Sequence, residues 1–352
     1  MSMDFSKQIG HIVSGCEMLH CDVLVNVSMA ERTTYGVGGS AACLIKTTHE
    51  KAHLVAAMLA TFPEVPVLVL GRGSNLLVSD EGFPGVVVVV IGATGADAIT
   101  VENDIVIAGG GLLMPVLARR SVAASRGGLE WCVGIPGTVG GAVRMNAGGH
   151  GADMIASLVS ADVVSCRSGQ KKTIAAADLG LHFRGSALSP QHIVASVQLR
   201  THQITPEAGT AEINAVVAWR REHQPGGRNA GSVFVNPGEG ADSAGALIDS
   251  ARLRGFTVGG AQVSEKHANF IQVADGATSR DVVAVMEHVQ DTVRSMHGVQ
   301  RSVPAFPMPV MQVMTGKHRC ALLVRCSENH RELQRSDEPR ESPGRDLGHR
   351  SL

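Results

Sequence analysis

The chain has almost no net charge: 31 Lys and Arg stand against 32 Asp and Glu in 352 residues, a formal −1. That removes the electrostatic reason to expect nucleic acid or a membrane surface as a partner. C-x-x-C pairs are absent and the seven cysteines are odd in number, so neither a disulfide framework nor a zinc site is indicated. Free thiols in a reducing cytosol are expected instead. No basic-then-apolar leader opens the chain, and the longest apolar run, near GVVVVVIG, is far too short to span a bilayer. A soluble, cytoplasmic protein without a metal site is the expectation.

What is present is a chain 44% hydrophobic and 18% charged, enough to bury one large core or two to three smaller ones. β-Branched runs alternate with helical patterns. VPVLVL (residues 65–70), GVVVVVIG (85–92) and DIVIAGG (104–110) read as strands bounded by turn residues. TTHEKAHLVAAMLATF places Thr47 and Glu50 at capping-box spacing ahead of a helical pattern. LLMPVLARRSVAASRGG reads as a helix with Pro115 in its first turn and Gly127 past its end. A further helix starts with Ser279 as the expected N-cap. It carries Val282, Val285, Met286, Val289, Val293 and Met296 on one stripe and stops at Gly298. The fold class expected is α+β in several lobes, with a composition break near residues 199–210.

Forty-one glycines cluster in short runs, and two of these runs are candidate ligand loops. The first, Gly71, Arg72, Gly73, Ser74 and Asn75, directly follows a strand pattern. A third glycine and a following helix are missing, which disfavours a Rossmann loop, and no G-K-[ST] makes a P-loop. What remains is an anion nest of converging backbone N–H groups, or a tight strand-to-strand turn. The second, within GLEWCVGIPGTVGGAVRMNAGGHG, holds Gly134, Ile135, Pro136, Gly137, Thr138, Gly140 and Gly141 in a stretch too apolar for a solvated linker. One helix terminus or nest stabilises an anion by only about 0.3–1 kcal/mol, so several must act together. Two such loops some sixty residues apart suggest a large dinucleotide cofactor. In the last third, RREHQPGGRNAGSVFVNPG and SEKHANFIQV add Arg220, Ser232, Asn236, Lys266 and His267 as polar candidates.

Together these segments resemble the UDP-N-acetylenolpyruvoylglucosamine reductase family over roughly residues 30–300. The elements that carry the resemblance, in order, are TTYGVGGSA, LGRGSNLLVSDEGFPGVV, GLEWCVGIPGTVGGAVRMNAGGHG, FRGSAL, NAGSVFVNP, AGALIDSARLRGF and VSEKHANFIQV. The shorter of the family's subtypes fits better. The resemblance implies a two-lobed FAD-binding region of the vanillyl-alcohol-oxidase (PCMH) type, followed by an α+β substrate-binding domain. The expected division is an N-terminal extension at 1–25, the FAD-binding region at 26–202, the substrate domain at 203–300 and an atypical tail at 301–352. FAD and NADPH are the implied cofactors, and a small nucleotide-sugar is the implied partner. The implied reaction reduces an enolpyruvyl ether, leaving a carbanion conjugated with a carboxylate that needs a cation and a proton donor. Arg184 matches the catalytic arginine, with a fork suited to a carboxylate. Ser232 matches the proton donor, the two glycine loops match the flavin-binding segments, and Arg220, Asn236, Lys266 and His267 match substrate-contacting positions.

Two departures accompany the resemblance. Val235 stands where a lysine is common in the family. After GV the family runs close to L-x-P-E-V, with a catalytic glutamate, whereas this chain reads GVQRSVPAFP with Pro304 in that place. No carboxylate residue occurs between Gly298 and Glu328. The abruptness of the change predicts a shift of reading frame near codon 300, with an arginine- and serine-rich, disordered tail after it.

Overall fold

The computed structural model describes residues 4–92, 98–237 and 242–297, together with the backbone of 312–315 and 319–321. Three units follow one another along the chain. In the first, helix α1 (Phe5–Met18) precedes strands β1 (Asp22–Ser28) and β2 (Ser40–Thr47), helix α2 (Ala52–Ala60), and strands β3 (Val67–Leu70), β4 (Leu76–Val78) and β5 (Phe83–Val90). Its sheet runs β1-β2-β5-β3, with β2, β5 and β3 mutually parallel and β1 antiparallel to β2. The valine run of β5 is explained by burial on both faces: Val86, Val87 and Val88 are all fully buried. One face packs on α1 and α2 through Ile12, Cys16, Val55 and Leu59. Residues 4–25, expected to be an extension, thus supply part of this core.

The second unit is an antiparallel sheet. Strands β6 (Ile99–Glu102) and β7 (Ile105–Gly109) lie beside the strands His192–Arg200, Leu158–Ser165 and Lys171–Ala175. Helices α3 (Met114–Ala123) and α4 (Val139–Arg144) pack on it around Leu117, Val139, Val143 and Leu199. Pro115 sits in the first turn of α3, as its missing N–H and fixed φ favour. The long helix Pro206–His223 belongs to this core too, through Ile213 and Val216. The expected boundary at 202/203 therefore falls before an element that packs on the second lobe.

The third unit is a small sheet of Thr257–Val258, Ala261–Val263 and Ile271–Val273 covered by the helices Ala244–Ser250 and Ser279–His297. Val282, Val285, Met286, Val289 and Val293 of the last helix are buried as their spacing predicts, each worth about 1.5–3 kcal/mol. Met296, expected on the same stripe, is not: it lies 57% exposed in the last turn of the helix. The cap also differs by one residue. Thr278 accepts from the Asp281 amide at 3.2 Å while Asp281 accepts from the Thr278 amide at 2.9 Å, a reciprocal capping box.

Ser279, released from capping its own helix, joins two units. Its amide and that of Arg280 donate to the Asp80 carboxylate at 2.8 and 3.3 Å, and the Asp80 amide donates to the Ser279 hydroxyl at 3.0 Å. Tyr35, Val37 and Leu77 of the first unit enter the hydrophobic core of the third. The units thus close on one another around a common cleft. Of residues 301–352, Gln312–Thr315 forms a strand parallel to β4 and antiparallel to Arg319–Ala321. Pro304, the expected frameshift point and the remaining tail lie outside the described residues.

Candidate functional site

The loop between β3 and β4 is the Gly71–Asn75 run, a strand-to-strand connection as its missing third glycine implied. It meets the Gly134–Gly141 segment in space. A Cβ on Gly71 would stand 2.4 Å from Thr138 Oγ1, so the two loops touch only because the position is glycine. Gly73 adopts φ +61°, and a Cβ there would collide with the backbone of Arg32 and Thr33. Thr138 is held in turn by capping α4, its hydroxyl accepting from the Gly141 amide at 3.3 Å.

Between these loops lies a cavity of about 490 Å³, within the range of small-molecule and cofactor sites. All three units line it. Gly71, Arg72, Gly73, Ser74 and Asn75 come from the first; Gly134, Ile135, Pro136, Gly137, Thr138, Gly141 and Arg184 from the second. Arg220 and Gln224, at the end of the 206–223 helix, and the 229–232 loop complete it. Gly140 faces a smaller adjoining cavity of about 40 Å³. The cradle is shaped by missing side chains: a Cβ on Gly137 would project between the loops, 3.6 Å from Ser74 Oγ. This room between two glycine-walled loops fits the diphosphate and flat ring of a dinucleotide such as FAD.

Four arginines line the cavity, Arg72, Arg144, Arg184 and Arg220, and burial acts on the last two. Arg184 has an unusual backbone, φ +56°, and its Nη2 donates to the Gly148 carbonyl at 2.9 Å. Its guanidinium carbon sits 5.3 Å from the centroid of the exposed Phe183 ring. Burial lowers its pKa from the ordinary arginine value, opposed by the nearby Asp153 carboxylate. Such a partly desolvated, orientated cation is suited to a carboxylate entering the cavity. Arg220 is tethered at both ends of its fork: Nη1 donates to the Gly134 carbonyl, and Nε donates to Gln224 Oε1 at 2.8 Å. Burial lowers its pKa as well.

Ser232 reaches the same cavity from the third unit. Its segment pairs with Phe270 through an isolated β-bridge. Two residues later, the buried Asn269 amide imitates a neighbouring strand, accepting from the Phe234 amide at 2.8 Å and donating to the Phe234 carbonyl at 2.9 Å. Asn229 shapes the preceding turn, accepting from the Gly231 amide at 3.0 Å. Asn269 stands out in the sequence beside Lys266 and His267 before a strand, whereas Asn229 and Gln224 have no special spacing, and their partners are backbone groups or a neighbouring arginine that only the folded chain reveals.

Three other expected residues lie apart from the cavity walls. Lys266 Nζ donates to the Arg221 carbonyl at 2.7 Å, neutralising the end of the 206–223 helix. Asn236 Oδ1 accepts from the Ala244 amide at 3.0 Å. His267 Nδ1 accepts from the Asn269 amide at 3.2 Å. Burial, and secondarily Arg254, hold the His267 imidazole below its ordinary pKa. Among the described residues no group of three His, Cys, Asp or Glu could hold a metal, and no helix is long and apolar enough to cross a membrane.

A glycine-walled cleft between a two-lobed, cofactor-sized cradle and an α+β cap bearing a serine defines a dinucleotide-binding protein with a separate substrate-facing domain. Residues 41–175 match a model of the FAD binding domain, which assigns the cradle its class: this is a flavoprotein fold. Residues 223–301 match the C-terminal domain of UDP-N-acetylenolpyruvoylglucosamine reductase. The reductase of Gloeobacter violaceus is 39% identical over 278 residues, 78% of this chain and 92% of that one. That of Nitrobacter hamburgensis is 40% identical over 279 residues, covering 79% and 90%. The crystal structure of the MurB reductase from Thermus caldophilus shares the fold with a TM-score of 0.67 at 33% identity, over 84% of this chain and 99% of that one. The chain belongs to the UDP-N-acetylenolpyruvoylglucosamine reductase family, and the α+β class with an FAD-binding region is the one expected.

Proposed function

We propose that the protein is a cytoplasmic, FAD-dependent enzyme that uses NADPH to reduce UDP-N-acetylglucosamine enolpyruvate to UDP-N-acetylmuramate, a precursor of peptidoglycan. The observation that carries this reading is the convergence of Arg184 and Ser232, from different units, on the cavity that the glycine loops enclose. Gly71–Asn75 and Gly134–Gly141 would hold FAD, which when bound supplies the hydride. Arg184 binds the substrate carboxylate and stabilises the negative charge that develops there once the double bond is attacked. The Ser232 hydroxyl holds the proton that the neighbouring carbon takes up; a positioned donor of this kind contributes about 10²–10⁴-fold. Arg220, desolvated at the cavity's edge, neutralises a diphosphate. Closure of the three units around the cleft excludes water from the carbanion.

The test is a purified protein that carries yellow FAD and oxidises NADPH faster when the enolpyruvyl substrate is added. A second reading, a flavin- or nucleotide-sugar-binding paralogue with impaired turnover, is favoured by the sequence after Gly298, which carries no carboxylate before Glu328, and by Val235. It predicts FAD binding without substrate-dependent NADPH oxidation.

A further inference from the structure

Next to Gly134 and Arg220, which line the cleft, stand three aromatic rings for which the reaction proposed above has no use. Trp219 lies 45% exposed near the end of the 206–223 helix. His223, one turn on, stacks against it with ring centroids 4.6 Å apart and planes within 14°. The stack is held in place, because His223 Nδ1 lies 2.8 Å from the Trp219 carbonyl oxygen. His150, from the loop after α4, meets the indole at right angles, 5.0 Å away. None of the three serves a core: Ile213 and Val216 do the packing of this helix, while all three rings are exposed.

Two residues that line the cavity connect the cluster to it. Trp219 precedes Arg220, whose guanidinium lines the cavity and donates to the Gly134 carbonyl. A Cβ on Gly134 would stand 3.2 Å from His150 Cδ2, so the imidazole lies directly over the second glycine loop. Burial and the adjacent Arg220 lower the His150 pKa, which favours a neutral ring at neutral pH. The sequence of groups outward from the cavity is therefore a desolvated cation and then flat apolar faces. That order matches a ligand with a diphosphate followed by a heteroaromatic base. Both nucleotides of the proposed reaction, the pyridine dinucleotide and the UDP-sugar, have this shape. Resting on that reading of the site, we propose that Trp219, backed by His223 and His150, is a stacking platform for the nucleobase of a nucleotide bound in the cleft.

Tryptophan fluorescence of the FAD-loaded protein tests the platform. Trp131 is buried and Trp219 exposed, so the two indoles are distinguishable. Titration with UDP or with NADP+ is expected to change the wild-type emission, and Trp219→Phe is expected to abolish the change. Trp219→Ala should raise the KM of the stacked nucleotide by about tenfold, in line with the loss of one base–aromatic contact, with a smaller effect on kcat. Trp219→Phe should restore most of it. An effect confined to UDP and the sugar substrate assigns the platform to uracil; one confined to NADP+ and NADPH assigns it to the dinucleotide. Emission indifferent to both nucleotides, with both KM values unchanged in Trp219→Ala, overturns the proposal. A protein that binds no FAD would instead overturn the flavin reading, while the nucleotide titrations still report on the platform.

Discussion

Asn269 offers the sharpest perturbation of the site, because its buried amide holds the serine-bearing segment without touching the cavity. Substitution Asn269→Leu keeps the branched four-atom side-chain shape and removes both hydrogen bonds to Phe234, which is only 2% exposed. Two bonds at about 1 kcal/mol each give a cost of about 2 kcal/mol. For a cooperative unit of this size that corresponds to a fall in melting temperature of roughly 10 °C. Ser232 sits two residues from the clamp, so kcat is expected to fall at least tenfold while FAD content stays near wild type, since the cradle belongs to the other two units. Thermal melts followed by circular dichroism, flavin absorbance and steady-state kinetics separate these effects. A variant with wild-type melting temperature and wild-type kcat would refute the reasoning that Asn269 positions the Ser232 segment.

Three further outcomes are expected. Gly71→Ala should lower the FAD content of the purified protein, because the new methyl group collides with Thr138 Oγ1 at 2.4 Å; flavin absorbance per chain measures it. Asp80→Ala removes acceptors from the Ser279 and Arg280 amides, and should lower stability by about 1–2 kcal/mol in urea titrations, as loss of a helix cap does. For pH, His267 is held below its ordinary value of 6.5, so the folded protein resists a proton that the unfolded chain accepts. Stability should fall as pH drops below about 6.5, towards the lower folded pKa, and His267→Gln should remove that part of the decline.

The parts of the fold that the sequence made legible are those set by local pattern. The valine run of β5, the stripe from Val282 to Val293 and the glycine loop between two strands all follow from periodicity and turn chemistry. Misread boundaries share a cause in tertiary pairing. Thr47 and Glu50 have capping-box spacing, yet Thr47 ends β2 because it pairs with Val90, and α2 begins only at Ala52, after an N-cap at Lys51 without a side-chain cap. The cradle was visible because glycine is its chemistry. Lys266 and Asn236 were expected to meet substrate, but the folded chain commits both to backbone groups. Asp80 and Ser279 lie 199 residues apart, so no local reading of either residue reveals their mutual capping. The junction after Gly298 is a matter for the nucleic acid: if the neighbouring reading frame at codon 300 encodes L-x-P-E-V, the frameshift stands, and if it encodes nothing similar the frameshift is excluded.

The central claim is that this cleft delivers reducing equivalents to an enolpyruvyl nucleotide-sugar. A single-turnover experiment tests it most directly. The FAD-loaded protein is reduced without oxygen by one equivalent of NADPH, mixed with UDP-N-acetylglucosamine enolpyruvate, and followed by flavin absorbance and product mass. The account predicts rapid return of the oxidised flavin spectrum and a product heavier by two hydrogens. Flavin that stays reduced, with the substrate recovered unchanged, would contradict it.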